Sequence, residues 1–433
     1  MKKLKPSSSI ELVDDIDYQY KELLIDIDDN LEPAPECCIY RVPKDLRKIN
    51  EEAYTPQLIS IGPLHHGKEE LLDMEKQKLR YMKKLGERIT MEKLLEFKTF
   101  IKNHEQLIRN CYAETSKLDS YKFVAMILYD AVFIIEFLLR NYDKDNGDFL
   151  LNKPRLKNSI MVDLHLLENQ VPYFVLQELY RSAFASLNPD AERYPPLFFL
   201  SCHLFSVLMF NGMPRQAEVK HFTDLIRYAE VESYSKSKLN GYIKDLPCAV
   251  KLQESGVKFK CIQGKCLLDV RFEKRKRRLP CFEVDELQIP RFEVYDETEG
   301  VIRNLMALEQ CHYPLETHIC NYVDLLVFLI NTEKDVDLLI EAGIISNCVG
   351  DNAVIAKMFN KLCQKITLSA SCYYDIGEGL KAHYHSPWNH AKATLKSVYF
   401  SNLWRGTASV AAVLLLLLTF VQTICSIQQV FFV

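Results

Sequence analysis

Between residues 69 and 88 the apolar positions Leu71, Leu72, Met74, Leu79 and Met82 recur among dense charges, the pattern of an amphipathic helix. The pattern continues over 91–111. Residues 122–140 are almost wholly apolar but hold Asp130 and Glu136, which predicts a central core helix and not a membrane span. Further helices are predicted at roughly 160–182, 197–210, 219–233, 299–312, 318–330, 333–342, 351–365 and 386–402, with Pro172 breaking or restarting the chain at Asn169-Gln170-Val171-Pro172. One stretch changes to period two. Gly256-Val-Lys-Phe-Lys-Cys261, Leu267-Leu-Asp-Val-Arg-Phe272 and Leu279-Pro-Cys-Phe-Glu-Val284 alternate, and Ile262-Gln-Gly-Lys265 offers a glycine turn between the first two. The predicted fold class is mainly α: a helical domain over 37–400 with a small antiparallel β insertion near 256–290, and one C-terminal transmembrane helix.

That last helix is read from the chain's end. Residues 406–433 carry no charged side chain. The apolar run starts at Gly406, passes Leu416 and reaches Cys425, and at 1.5 Å per residue it matches the roughly 30 Å of bilayer hydrocarbon. A span over 404–427 with a short tail over 428–433 is expected. Lys381, Lys392, Lys396 and Arg405 precede it without an acid, and Trp388, Tyr399 and Trp404 suit an interface. This predicts a tail-anchored, single-pass protein with its bulk in the cytosol, in the plasma membrane or endoplasmic reticulum, and the lipid bilayer as a partner. The N-terminus has no apolar h-region and so reads as lacking a signal peptide.

Composition refines the picture. Hydrophobic residues make up 48% and charged residues 26%, as in globular proteins. The net charge of -4 hides a leader over 1–36 with ten acids against four lysines, expected to be mobile. An acidic balance gives no support for nucleic-acid binding. Fourteen cysteines without a secretory signal are expected to be free, and no CxxC pair occurs.

Seven stretches, the first three forming one opening block, carry a resemblance in order. Ile39-Tyr-Arg-Val-Pro-Lys-Asp-Leu-Arg47 is followed by Tyr54-Thr-Pro-Gln-Leu-Ile-Ser-Ile-Gly-Pro-Leu-His-His-Gly67 and Met74-Glu-Lys-Gln-Lys-Leu-Arg80. Then come Asp163-Leu-His-Leu-Leu-Glu-Asn-Gln-Val-Pro-Tyr-Phe174, Ala249-Val-Lys-Leu-Gln-Glu-Ser-Gly-Val-Lys-Phe-Lys260, Arg303-Asn-Leu-Met-Ala-Leu-Glu-Gln310 and the closing stretch from Trp404 to Gln422. Together they resemble the plant family called domain of unknown function 247 over about 38–425. Ala131 stands where that family usually has glycine, and Lys251 where it usually has threonine. The resemblance implies plant origin, a mainly helical cytosolic region, a C-terminal span and no established activity. Some members are associated with self-incompatibility recognition in grass pollen. The motif positions it marks here are Arg41, Pro43, Arg47, Gly62, Pro63, His65, His66, Glu75, Asp130, Glu168, Asn169, Gln170, Pro172, Gly256, Asn304, Glu309 and Gln310.

Each chemical candidate has a plainer alternative. The pair His65-His66 could ligate a metal, but no partner lies at ligand spacing, and a turn bonded to backbone or capping the helix near Glu69 is preferred. His165 and Glu168 share a helix face, yet a helical metal centre needs a second copy of that motif. The preferred reading places Glu168, Asn169 and Gln170 in a polar network around Pro172. Asp130 has only Met126, Ile127, Phe133 and Ile134 as helical neighbours, so if buried it needs a distant partner, for which Arg41 and Arg47 are proposed. Glu136 has Arg140 at i+4. The basic run Lys274-Arg-Lys-Arg-Arg278 is expected to be an exposed loop between strands or a lipid contact. No GxSxG, HExxH, GxxxxGKS or GxGxxG stretch occurs, so no catalytic or cofactor residues are assigned. The expected function is a membrane-anchored recognition or scaffold protein with an unidentified protein partner. The alternative is a metal-assisted hydrolase using His65, His66, His165 and Glu168.

Overall fold

A computed structural model describes residues 33–145, 147–184, 194–205, 218–232, 234, 241–263, 266–275, 284–394 and 403–431. The acidic leader lies almost entirely outside them. So does the basic run beyond Arg275.

A one-turn helix, α1 (Lys44–Arg47), starts after Pro43. The long amphipathic helix α2 (Leu72–Arg88) buries Met74, Lys78, Tyr81 and Leu85, one stripe at i, i+4, i+7 and i+11. Thr90 then caps α3 (Met91–Asn103) with its side chain, and a break at His104 separates the short α4 (Glu105–Asn110). Asp119 caps α5 (Ser120–Asp143) by accepting from the Lys122 amide at 2.9 Å. Lys144 closes that helix in the left-handed conformation. As its composition predicts, α5 is the hub. It is buried almost continuously from Phe123 to Asn141, and α2, α3 and later helices pack around it.

Pro154 opens α6 (Pro154–His165), where its missing N–H costs nothing. The chain then turns at 167–169 and passes Pro172 into α7 (Tyr173–Phe184). Next come α8 (Leu197–Leu204), α9 (Phe222–Glu232) and α10 (Ala249–Glu254).

Three strands follow: β1 (Lys258–Ile262), β2 (Arg271–Arg275) and β3 (Val284–Pro290). Their pairing corrects the expected antiparallel hairpin. The order is β1-β3-β2, with β1 parallel and β2 antiparallel to β3. The reason is burial. Leu287 and Ile289 of β3 are completely buried, whereas β1 is mostly half-exposed, so the most apolar strand takes the centre. Phe259, Leu287 and Phe272 then form one cross-strand row.

The C-terminal half adds β4 (Phe292–Val294), α11 (Thr298–His312), α12 (His318–Leu329) and α13 (Glu333–Glu341), the last opened by a Thr332/Asp335 capping box. Strand β5 (Ile345–Asn347) pairs in parallel with β4. Helices α14 (Asn352–Leu362), α15 (Tyr374–Tyr384) and α16 (Pro387–Thr394) complete a mainly helical protein with small sheets.

Helix α17 (Leu403–Phe431) corrects the largest expectation. Its described residues include the polar Thr419, Gln422 and Thr423, and the Thr419 and Thr423 hydroxyls bond back to Leu415 O and Thr419 O. Among the described residues no helix is long and apolar enough to cross a membrane. The expected transmembrane helix through Gly406, Leu416 and Cys425 is therefore unsupported. The lipid-bilayer partner, the single-pass tail-anchored placement and the cytosolic orientation of the rest lose their basis with it.

Candidate functional site

The block over 54–67 contains no α-helix or strand, yet Ile59, Ser60, Ile61 and His65 are buried. Buried backbone must find partners. Here side chains supply them. Asp163, at the end of α6, accepts the amides of Gln57, Leu58 and Ile59 at 2.9, 2.8 and 2.8 Å. Asn169 accepts from the Ile61 amide at 2.7 Å and donates to Ile59 O at 3.0 Å. Lys78 donates to Ser60 O at 2.5 Å, and Asp130 accepts the Gly62 amide at 2.8 Å. Gly62 has φ +72°, and a Cβ there would stand 2.3 Å from Gln170 O, so only glycine fits.

Two buried acids anchor this network. The Lys78 ammonium lies 2.5 Å from Asp130 Oδ1 and 2.6 Å from Glu75 Oε1. Burial lowers the Lys78 pKa, but Asp130 and Glu75 outweigh that and hold it above its ordinary 10.5. The proposed partnership of Asp130 with Arg41 or Arg47 is thus corrected. Those arginines instead serve Glu168, Arg41 at 3.3 Å and Arg47 in closer contact. Glu168 also accepts the Val42 amide at 2.7 Å. His65 Nε2 approaches Glu168 Oε2 at 3.0 Å, with its N–H off the line of an aligned hydrogen bond. Burial raises the Glu168 pKa, while His65, the Val42 amide and Arg47 more than offset it, leaving the carboxyl below its usual range.

Other motif side chains repeat the device. Gln170 donates to Leu164 O and Leu166 O, both at 2.7 Å, and accepts from the Phe222 amide at 2.9 Å. This satisfies backbone freed at the break before Pro172. Asn304 accepts the Leu167 amide at 2.9 Å and donates to Ala53 O at 2.7 Å. Glu309 accepts the Ile319 and Cys320 amides at the start of α12, at 3.1 and 2.9 Å, and pairs with Arg227 at 3.0 Å. Gln310 clasps the backbone of Thr367 on both sides, at 3.0 and 2.9 Å. Glu136 pairs with Arg140 at 2.6 Å, as its spacing predicts, and Arg140 continues to Asp148 at 2.8 Å. Gly256 adopts φ +101° just after α10.

The histidines do not converge on a metal. His165 is packed on Phe205, with ring centroids 4.7 Å apart, and His66 turns instead to a cleft of about 350 Å³ lined by Arg41, Leu64, Glu114 and Lys117. Among the described residues no three histidine, cysteine or acidic side chains are placed to hold a metal ion. Sequence reasoning missed Lys78, Asp163 and Arg227. Lys78 had a signal: it sits at i+4 from Met74 in the apolar stripe of α2, where a lysine needs a buried acid.

Burial also sets a pH dependence. His221 is fully buried, with one ring nitrogen on Cys38 O at 3.0 Å, and burial pushes its pKa down to about 4. The unfolded chain takes up this proton below about 6.5 and the folded one does not, so stability falls as pH drops through that window. His165 shifts the same way, to about 4. Asp163 opposes them, since burial raises its pKa to about 6 and its protonation favours the fold. From pH 7 to pH 5, His221 alone should cost about 2 kcal/mol. Guanidinium unfolding of His221→Gln should show a pH loss smaller by about that amount.

Comparison with known proteins places these motifs. The model of a plant protein family of unknown function, DUF247, matches residues 39–418. The UPF0481 protein At3g47200 of Arabidopsis thaliana is 27% identical over 422 residues, covering 90% of this chain and 86% of that protein. The putative UPF0481 protein At3g02645 of Arabidopsis thaliana is 23% identical over 480 residues, covering 89% of each. No solved structure matches.

Proposed function

We propose that this chain, which belongs to the plant family of unknown function DUF247, works by binding another protein, with its motif residues holding a rigid scaffold. The observation that carries the reading is a stripe on α3. Met91 and Leu95 are 74% and 64% exposed and lie at i and i+4, with Lys98 and Lys102 continuing the same face. Tyr121, 75% exposed, joins it where the Lys98 ammonium lies 5.4 Å from its ring centroid. Clustered exposed apolar groups beside charge mark contact surfaces. The partner that fits presents apolar side chains flanked by carboxylates, to meet the two lysines.

The motif chemistry agrees with this. Asp130, Asp163, Glu168 and Glu309 already accept backbone amides, which leaves little lone-pair capacity for a substrate. The metal-assisted hydrolase reading has no comparable observation behind it.

The test is proximity labelling from the full chain in plant cells, beside the double variant Met91→Asp/Leu95→Asp. Both positions are exposed, so stability should stay within about 0.5 kcal/mol of wild type. A reproducible set of neighbours should be lost with the variant. Identical sets from both proteins would remove the stripe from the account.

A further inference from the structure

One cavity combines an apolar wall with a carboxyl that keeps accessible surface. It lies between α9, α11, α12 and β4, has a volume of about 400 Å³, and adjoins a second of about 380 Å³ that shares Glu230 and Phe292. That size falls within the range of small-molecule sites, about 300–1,000 Å³. Leu267, Phe292 and Ile302 supply hydrocarbon.

One group there points to a ligand. Glu230 accepts the Leu267 amide and is enclosed by protein, yet it keeps accessible surface, as a carboxyl facing a cavity does. Glu297 is the other ionisable side chain lining the larger cavity apart from Tyr295 and Tyr322, and its carboxylate accepts from Asn158 at 2.5 Å. Among the described residues no lysine or arginine lines that cavity, and Arg291 of the adjoining one is paired with Glu293 at 3.6 Å. An acidic ligand would meet carboxylates with nothing to neutralise it, whereas a donor head would meet acceptors.

We propose that this cavity binds a small apolar amine, its hydrocarbon against Leu267, Phe292 and Ile302 and its protonated nitrogen donating to the Glu230 carboxylate. Burial raises the Glu230 pKa to about 7, and a bound cation would favour the ionised form.

Calorimetric titration of the full chain tests this with three probes of one shape: 1-naphthylmethylamine, 1-methylnaphthalene and 1-naphthoic acid. The amine should bind at one site per chain, and the acid at least tenfold more weakly. Glu230→Gln should weaken amine binding about tenfold. Absence of saturable amine binding, equal affinity for acid and amine, or wild-type amine affinity in a normally melting Glu230→Gln protein would each overturn the proposal.

Discussion

Glu168→Gln lowers the stability of the folded chain by about 3–5 kcal/mol, the cost of removing one partner from a buried ion pair. The carboxylate is fully buried, and the half-buried Arg47 has only a weak contact with Thr55, at 3.4 Å, and the Tyr54 ring in exchange. Arg41 suffers less, because Glu114 holds its other edge at 2.7 Å. The sign with pH follows from the lowered pKa. The contribution is complete above the ordinary glutamate value of 4.5 and fades as pH falls through the lower folded value. Guanidinium unfolding at pH 7 and pH 3 should therefore show a large difference from wild type at the first and a smaller one at the second. Were Glu168 a reactive group held in strain, its removal would leave stability unchanged or raise it.

The second large effect concerns Asp130 and Lys78. Either Asp130→Asn or Lys78→Met alone should cost about 3–5 kcal/mol, since each leaves the other charge buried. Asp130→Asn strands an ammonium that retains only Glu75 and Ser60 O. Lys78→Met strands a carboxylate whose remaining partner is the Gly62 amide. The double variant buries no unpaired charge from this pair and should lose no more than the worse single change. Chemical denaturation of the four proteins gives the coupling directly. Additive losses would mean that the two charges do not sense each other.

Much of this was legible in the chain. The amphipathic period located α2, the apolar run located α5, and the spacing of Glu136 and Arg140 gave their ion pair. Partner choice was harder. Arg41 and Arg47 were natural candidates for Asp130, but which acid meets which base depends on how 39–67 threads between helices. No local pattern encodes that path. The sheet was read only in part: 256–261 overlaps β1, 267–272 meets β2 only at 271–272, 279–283 lies outside the described residues, and pairing order depends on which strand the core buries deepest. The C-terminal run shows the converse limit. Apolar composition over 406–425 suggests a span, yet among the described residues no helix is long and apolar enough to be one. The apolar cavity was not visible, because only the fold brings its lining together; the α3 stripe is local in spacing, but only the fold leaves that face exposed and adds Tyr121.

The central claim is that side chains of the motif blocks stand in for secondary structure along an irregular buried segment. Hydrogen exchange of the native full chain tests it at the amides of Gln57, Leu58, Ile59, Ile61 and Gly62. They should exchange as slowly as the amides of α5, through global unfolding. In Asn169→Ala the Ile61 amide should lose that protection first. Exchange of this segment at the rate of an exposed loop in the wild-type protein would contradict the account.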